Sequence, residues 1–341
     1  MIVYLHNSIP LLGYLSKSSA KTCAESAINN FVDIISNIDH YKFFMSKDDT
    51  DLAAHGGYND LHLYYNQMIA RGDLTEVYDA NTLFYSFYQL LERSKKIEDA
   101  CNIEDYETNA DIAPVDLINS WPSSFENHFK ELSIKISLAN LHVVIFFKSS
   151  NPGNKMKVDI KNLVSYLKSD GELFEFKPPR NFSKEFELAE NLNGLNYKIS
   201  ALEIWNNAES DKDLKFAIYL LAKRHSPIVS LKDFYIGSEF RKSLEDNQSF
   251  SNGKYAEHTL DTCAKIVAGI AKGEIFRTTN NQSSPPRIRT EDGAIAKRLH
   301  LTKGSVALRL MFWQMGEVVE LSNIGPKNEE KIEKGSISER I

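Results

Sequence analysis

The sequence predicts an α+β protein with a helix-rich N-terminal half, a small α/β middle and a C-terminal antiparallel β-meander with flanking helices. Three observations predict it. Apolar residues recur at helical spacing through the first 135 residues. A β-branched and aromatic run, Leu141 to Lys148, then lies between turn-forming stretches. Three strand-like runs joined by short turns follow between Ala296 and Ile324. At roughly 150 residues per domain, 341 residues allow two or more cores. Composition shifts divide the chain into a mainly helical region 1–135, a small α/β and helical region 136–253, and a basic helix plus meander, 254–341.

Each element has its own signal. The N-terminal run MIVYLHNSIP lacks a basic segment before its apolar residues, so it reads as a first strand and loop, not a signal peptide. Helices are expected over Ala20 to Ile38, Asp60 to Arg71 and Asp79 to Ala100, with acidic loops at Ser46 to Gly57 and Asn102 to Asp111. Pro114 suits the first turn of a short helix. Val158 to Lys168 reads as a helix between the strand at Leu141 to Lys148 and another at Leu173 to Lys177, which Pro178 and Pro179 end. Ser210 to His225 is helical, with Asp211 and Asp213 in its first turn, and Leu231 to Glu245 reads as a further helix. In Tyr255 to Lys272 the residues Ala256, Leu260, Cys263, Val267 and Ile270 share a face, with Gly273 as the stop. An uncharged stretch, Thr278 to Pro286, precedes the meander Ala296 to Thr302, Ser305 to Trp313 and Glu317 to Ile324. A charged helix is expected over Lys327 to Lys334.

Composition excludes several classes. The chain is 42% hydrophobic and 25% charged with a net charge of −6, which fits neither a disordered nor a histone-like protein. No run approaches the about 20 apolar residues of a membrane span. Three scattered cysteines, Cys23, Cys101 and Cys263, point to a reducing, cytoplasmic setting. No phosphate loop GxxxxGK[ST], GxGxxG after a strand, HExxH, CxxC pair or GxSxG elbow occurs, so no cofactor and no metal are expected. Charge is unevenly spread: residues 254–310 carry ten Lys+Arg against five acids, while 1–253 have a balance of −9. Such a segment is an electrostatic footprint for phosphate, or a solvated face paired with the acidic remainder.

Alternation on the meander sharpens the first reading. Side chains two apart share a strand face, so Arg298, His300 and Thr302 point one way, as do Ala307, Arg309, Met311 and Trp313 on the next strand. Pairing of the two strands converges Arg298, His300 and Arg309. RNA cleavage through the 2′-hydroxyl needs this set: a proton-transfer group and fixed cations for the phosphorane. The competing reading is a satisfied histidine beside a surface arginine. Arg287, Arg289, Lys297, Lys303 and Lys327 are the candidate nucleic-acid-binding residues around this trio. Arg287 and Arg289 stand two apart beside the Ser/Pro stretch, suited to clamping phosphates or to an ordinary connector. Two further constellations are Asp159 with Glu175 and Lys177, a spacing used by metal-dependent nucleases, and Tyr255, His258 and Asp261 on one helix.

The run from Arg298 to Gly335 resembles the terminal strands and helix of RelE/ParE-type toxins, the ribosome-linked mRNA interferases. The matching pieces are Arg298, Arg309 with Phe312, Val318 to Leu321, and Lys327, within residues 296–335. The resemblance implies RNA cleavage or ribosome binding, with Arg298, His300, Arg309 and Lys327 as its residues. Two function classes therefore stand. One is a nucleic-acid-acting, toxin-like or antiphage-defence ribonuclease with its site in the C-terminal third. The other is a non-catalytic adaptor or structural subunit of a bacterial defence or DNA-processing complex. RNA or DNA is the expected partner. A protein partner or a second copy would dock through the aromatic N-terminal helices (LHLYYNQM and LFYSFYQLL), and no membrane is involved.

Overall fold

The computed structural model describes residues 2–5, 31–32, 34–35, 41, 43–47, 66, 70, 79–113, 123–146, 155–189, 191–278, 283–302 and 307–336. Helices and mixed sheets make an α+β protein, and the chain divides into two compact units, Met1–Lys198 and Ile199–Ile341. Neither expected border, at 135/136 or at 253/254, coincides with this division. Most of the expected helices at 20–38 and 60–71, the acidic loop beyond Lys47, Pro114 and the turn holding Lys303 lie outside the described residues.

Among the described residues, a mixed sheet organises the first unit. Strands β1 (Ile2–Leu5), β2 (Phe43–Met45), β3 (Lys95–Lys96), β4 (Ile103–Ala113), β5 (Val143–Phe146), β6 (Lys155–Lys168) and β7 (Leu173–Ala189) form it in the order β3-β2-β1-β5-β7-β6-β4. The first five strands of that order run parallel, and β6 is antiparallel to both β7 and β4. Helices α1 (Ala80–Arg93), α2 (Ile97–Cys101), α3 (Ser123–Leu138) and α4 (Leu192–Lys198) accompany it among the described residues. Phe129, Leu132 and Ile136 of α3 share one core with Val158 and Ile160 of β6, and α3 spans residue 135, so no border falls there.

Two expectations fail here for identifiable reasons. Val158–Lys168 is strand, not helix. Asn162 takes a left-handed φ of 53° and the register shifts between Ile160 and Leu163, so both remain buried although three residues apart. A β-bulge thus imitates helical spacing. The acidic segment 102–111 is strand β4, with Ala110 and Ile112 facing the core and its carboxylates facing out. On α1, Leu83 and Phe87 are core while Tyr85 is 66% exposed, so the aromatic run divides between the two roles. Cys101 and Cys263 are free and buried; burial pushes the Cys101 thiol up to about 12, which makes it a packing residue.

The second unit has helices α5 (Ala201–Asn206), α6 (Asp211–His225), α7 (Phe240–Asp246) and α8 (Ala256–Val267) beside a five-stranded sheet. Its strands are β8 (Phe234–Ile236), β9 (Glu274–Ile275), β10 (Ile295–His300), β11 (Leu308–Met315) and β12 (Val318–Pro326), in the order β8-β12-β11-β10-β9. The expected meander is present as antiparallel β10, β11 and β12. α8 packs on α5 and α6, which removes the border expected at 253. The expected helix 231–245 is instead β8 followed by α7. Gly237 separates them, where an added Cβ would stand 3.0 Å from the Leu321 carbonyl of β12.

A capping box starts α6. Ser210 Oγ accepts from the Asp213 amide at 3.3 Å, while the Asp213 carboxylate accepts from the Ser210 amide at 3.0 Å. Ser210→Ala should lower the stability of this unit by about 1 kcal/mol in urea unfolding, with the m-value unchanged.

The expected terminal helix over Lys327–Lys334 does not form. The segment 327–336 runs as a strap across the sheet, and side chains capture the backbone groups a helix would use. Trp313 Nε1 donates to the Glu333 carbonyl at 2.6 Å, Ser322 Oγ to the same oxygen at 2.7 Å, and Asn323 Nδ2 to the Lys331 carbonyl at 3.2 Å.

Candidate phosphate site

The register of β10 and β11 places Arg298 opposite Met311 and His300 opposite Arg309, so Arg298, His300 and Arg309 lie on one sheet face. That face is not bare. Ala296, Met311 and Trp313 are buried on it beneath Phe276 and the strap residue Ile332. Beyond this small core the face opens into a pocket of about 310 Å³. Arg298 and Arg309 come from the sheet. Phe276, Arg277, Thr278 and Arg287 form one wall, and Lys327 to Glu330 of the strap form the other.

Five cations and two carboxylates line this space. Among the described residues none of the five cations has a carboxylate within ion-pair distance. Arg277 and Arg287 are held by carbonyls. Arg277 Nη1 donates to Ser284 O at 2.5 Å, Arg287 Nε to Arg277 O at 3.0 Å, and Arg287 Nη1 to Glu330 O. Arg287 therefore ties the two walls together. Its guanidinium and that of Arg298 both lie over the Phe276 ring, at 4.4 and 5.1 Å.

Arg298 and Arg309 differ from these. Their Nε atoms are buried and have no hydrogen-bond partner among the described residues. Burial, and then the neighbouring Arg298 charge, depress the pKa of Arg309, against a smaller opposing effect of Glu274. Both guanidiniums remain charged at neutral pH. Two like charges with unsatisfied donors are unfavourable by themselves, and an anion between them would relieve both defects.

The other candidates separate from this group. His300 is exposed and does not line the pocket, though it stands opposite Arg309 on the adjacent strand. Lys297 pairs with Phe312 and Ile275 on the opposite sheet face, away from the pocket. Lys327 is exposed at the rim, and Lys303 lies outside the described residues. Arg289 is a correction: its side chain is 2% exposed, bound to Asp292 at 2.5 Å and Glu320 at 2.6 Å, with Nη1 on the Lys334 carbonyl at 2.5 Å. It fastens the strap and offers no donor to solvent. Asp159 and Glu175 lie six residues apart along the β6–β7 ladder, about 20 Å, so they do not share a metal. Among the described residues no group of three His, Cys, Asp or Glu side chains is placed to hold one. Asp261 bonds Lys265 at 2.6 Å and lies 3.6 Å from His225 Nε2.

The sequence did not point to Arg277, to Phe276 or, on the strap wall, to the residues beyond Lys327. A signal existed for Arg277: it and Arg287 flank the stretch 278–286, and the antiparallel Arg277–Pro286 bridge brings the two arginines together.

Gly335 anchors the far end of the strap with φ +84°, and a Cβ there would stand 2.5 Å from Glu320 Oε1. Gly335→Ala should loosen the strap through backbone strain and this clash, seen as faster amide exchange over residues 329–336.

No helix among the described residues is long and apolar enough to cross a membrane. Comparison of the chain with protein-family models, with curated proteins and with solved structures returns no match.

Proposed function

We propose that the C-terminal third acts on nucleic acid by seating a phosphate group between Arg298 and Arg309. The single observation that carries this reading is two neighbouring guanidiniums in one pocket whose buried Nε donors and charges find, among the described residues, neither a hydrogen-bond acceptor nor a paired carboxylate. Phosphate is the anion that suits paired arginines best, since its oxygens accept from both forks. The excess of cations over residues 254–310 adds long-range attraction for a polyanion within an otherwise acidic chain.

RNA cleavage is the reaction proposed for this site. His300 stands across the strand pair from Arg309, within reach of a nucleotide whose phosphate the arginines hold. It would take the proton of the 2′-hydroxyl as that oxygen bonds to phosphorus, and the guanidiniums would stabilise the phosphorane charge; the P–O5′ bond then breaks, leaving a 2′,3′-cyclic phosphate and a 5′-oxygen that takes its proton from water. This is the chemistry implied by the resemblance to RelE/ParE-type toxins, and it frames the protein as a toxin-like or antiphage-defence effector. The exposure of His300 outside the pocket favours the second reading, an adaptor that binds nucleic acid without turnover.

End-labelled RNA and DNA incubated with the wild-type chain and with His300→Ala decide between them. The ribonuclease reading expects RNA fragments from wild type, at least 100-fold fewer from His300→Ala, and equal binding by both. Salt-dependent binding with no fragments from either protein would replace it with the adaptor. No binding by either would remove both.

A further inference from the structure

We infer that the pocket holds a phosphomonoester, the terminal phosphate of a nucleic-acid strand, in preference to an internal phosphodiester. The inference rests on the reading of the pocket as a phosphate site and specifies its ligand.

Charge is the first argument. Of the arginines in the pocket, Arg277 and Arg287 already donate to carbonyls, and they build the walls. Arg298 and Arg309 alone have neither a hydrogen bond nor an ion pair to any described residue. Carbonyls satisfy the donors of Arg277 and Arg287 but neutralise neither charge, so the site offers at least the two charges of Arg298 and Arg309 to an anion. A monoester carries about −1.5 to −2 at neutral pH and three acceptor oxygens. An internal diester carries one charge and two free oxygens, so it leaves one guanidinium without a counter-ion. The second argument is shape. Arg287 joins the hairpin wall to the strap by bonding Arg277 O and Glu330 O together, so a continuous strand cannot pass between the walls at that point while the tie holds. A strand end needs a single opening. The pocket's volume of about 310 Å³ stands at the low end for small-molecule sites, matching a phosphate and its sugar better than a length of backbone.

Fluorescence anisotropy with the full chain tests this by changing the ligand and leaving the protein intact. One short RNA is prepared with a 5′-phosphate, with a 3′-phosphate, with hydroxyl ends, and with its terminal phosphate methylated to a single charge. A phosphorylated end should tighten binding about tenfold or more, and methylation should remove most of the gain. Inorganic phosphate should compete selectively against the phosphorylated strand, and Arg298→Gln should abolish the difference between ends. If all four RNAs bind equally and Arg298→Gln weakens them all, the site takes internal phosphates: the inference is overturned and the phosphate reading survives. Should Arg298→Gln leave every affinity unchanged, the phosphate reading falls as well. A nucleoside monophosphate that binds as tightly as the phosphorylated strand would make the ligand a free nucleotide and overturn the assignment to a strand end.

Discussion

Replacing both Arg298 and Arg309 by glutamine is expected to weaken nucleic-acid binding by about 100-fold or more, with the unfolding temperature unchanged or raised. The loss follows from charge-assisted hydrogen bonds worth about 1.5–3 kcal/mol each, two of which vanish together. The stability effect has the opposite sign because these groups are costly to the fold itself. Their Nε atoms are buried without partners, and each guanidinium repels the other. Residues kept against stability in this way belong to sites and not to scaffolds. Binding isotherms together with thermal denaturation of the double variant check both halves. A variant that loses binding only because it unfolds would contradict the account, since the two measurements would then fall together.

Arg289→Ala should have the largest effect on stability, about 3–5 kcal/mol lost from the second unit. The arginine is the counter-ion of two carboxylates whose side chains are 2% and 1% exposed, Asp292 and Glu320. Truncation would strand both charges away from water. It would also release the Lys334 carbonyl and remove a cation 5.1 Å from the Trp313 ring. Hydrogen bonding from Arg289 holds the Asp292 carboxyl below its ordinary value of 3.8. A lowered acid pKa stabilises the fold above the unfolded value, and that contribution is lost as pH falls through the folded one. Wild type should therefore lose part of its stability below about pH 4, and Arg289→Ala should show a flatter acid limb in urea unfolding. If Arg289→Ala unfolds at the wild-type urea concentration, the strap is not held by this network.

Periodicity recovered what periodicity encodes. Alternation along Arg298-Leu299-His300 and Arg309-Leu310-Met311 sufficed to put the two arginines and the histidine on one face, and the register then brought His300 opposite Arg309. Where a local irregularity rewrites the period, the reading fails. Asn162 inserts a bulge and turns strand β6 into apparent helix, and the carboxylates of β4 hide a face that begins at Ile103 and ends at Ile112. Arg289 shows a second limit: its sequence neighbourhood resembles that of Arg287, and its contacts with Asp292, with Glu320 31 positions away and with the Lys334 carbonyl distinguish a structural arginine from one lining the pocket. The strap is a third. KNEEKIEK has helical propensity, yet Trp313, Ser322 and Asn323 draw its carbonyls across the sheet instead.

The most direct measurement is nitrogen-detected NMR of the arginine Nε–Hε groups during titration with inorganic phosphate. The Arg298 and Arg309 resonances should shift downfield together and saturate at one equivalent, with the buried Arg289 signal unmoved. Movement spread evenly over surface arginines, with Arg298 and Arg309 unchanged, would contradict an anion site between them.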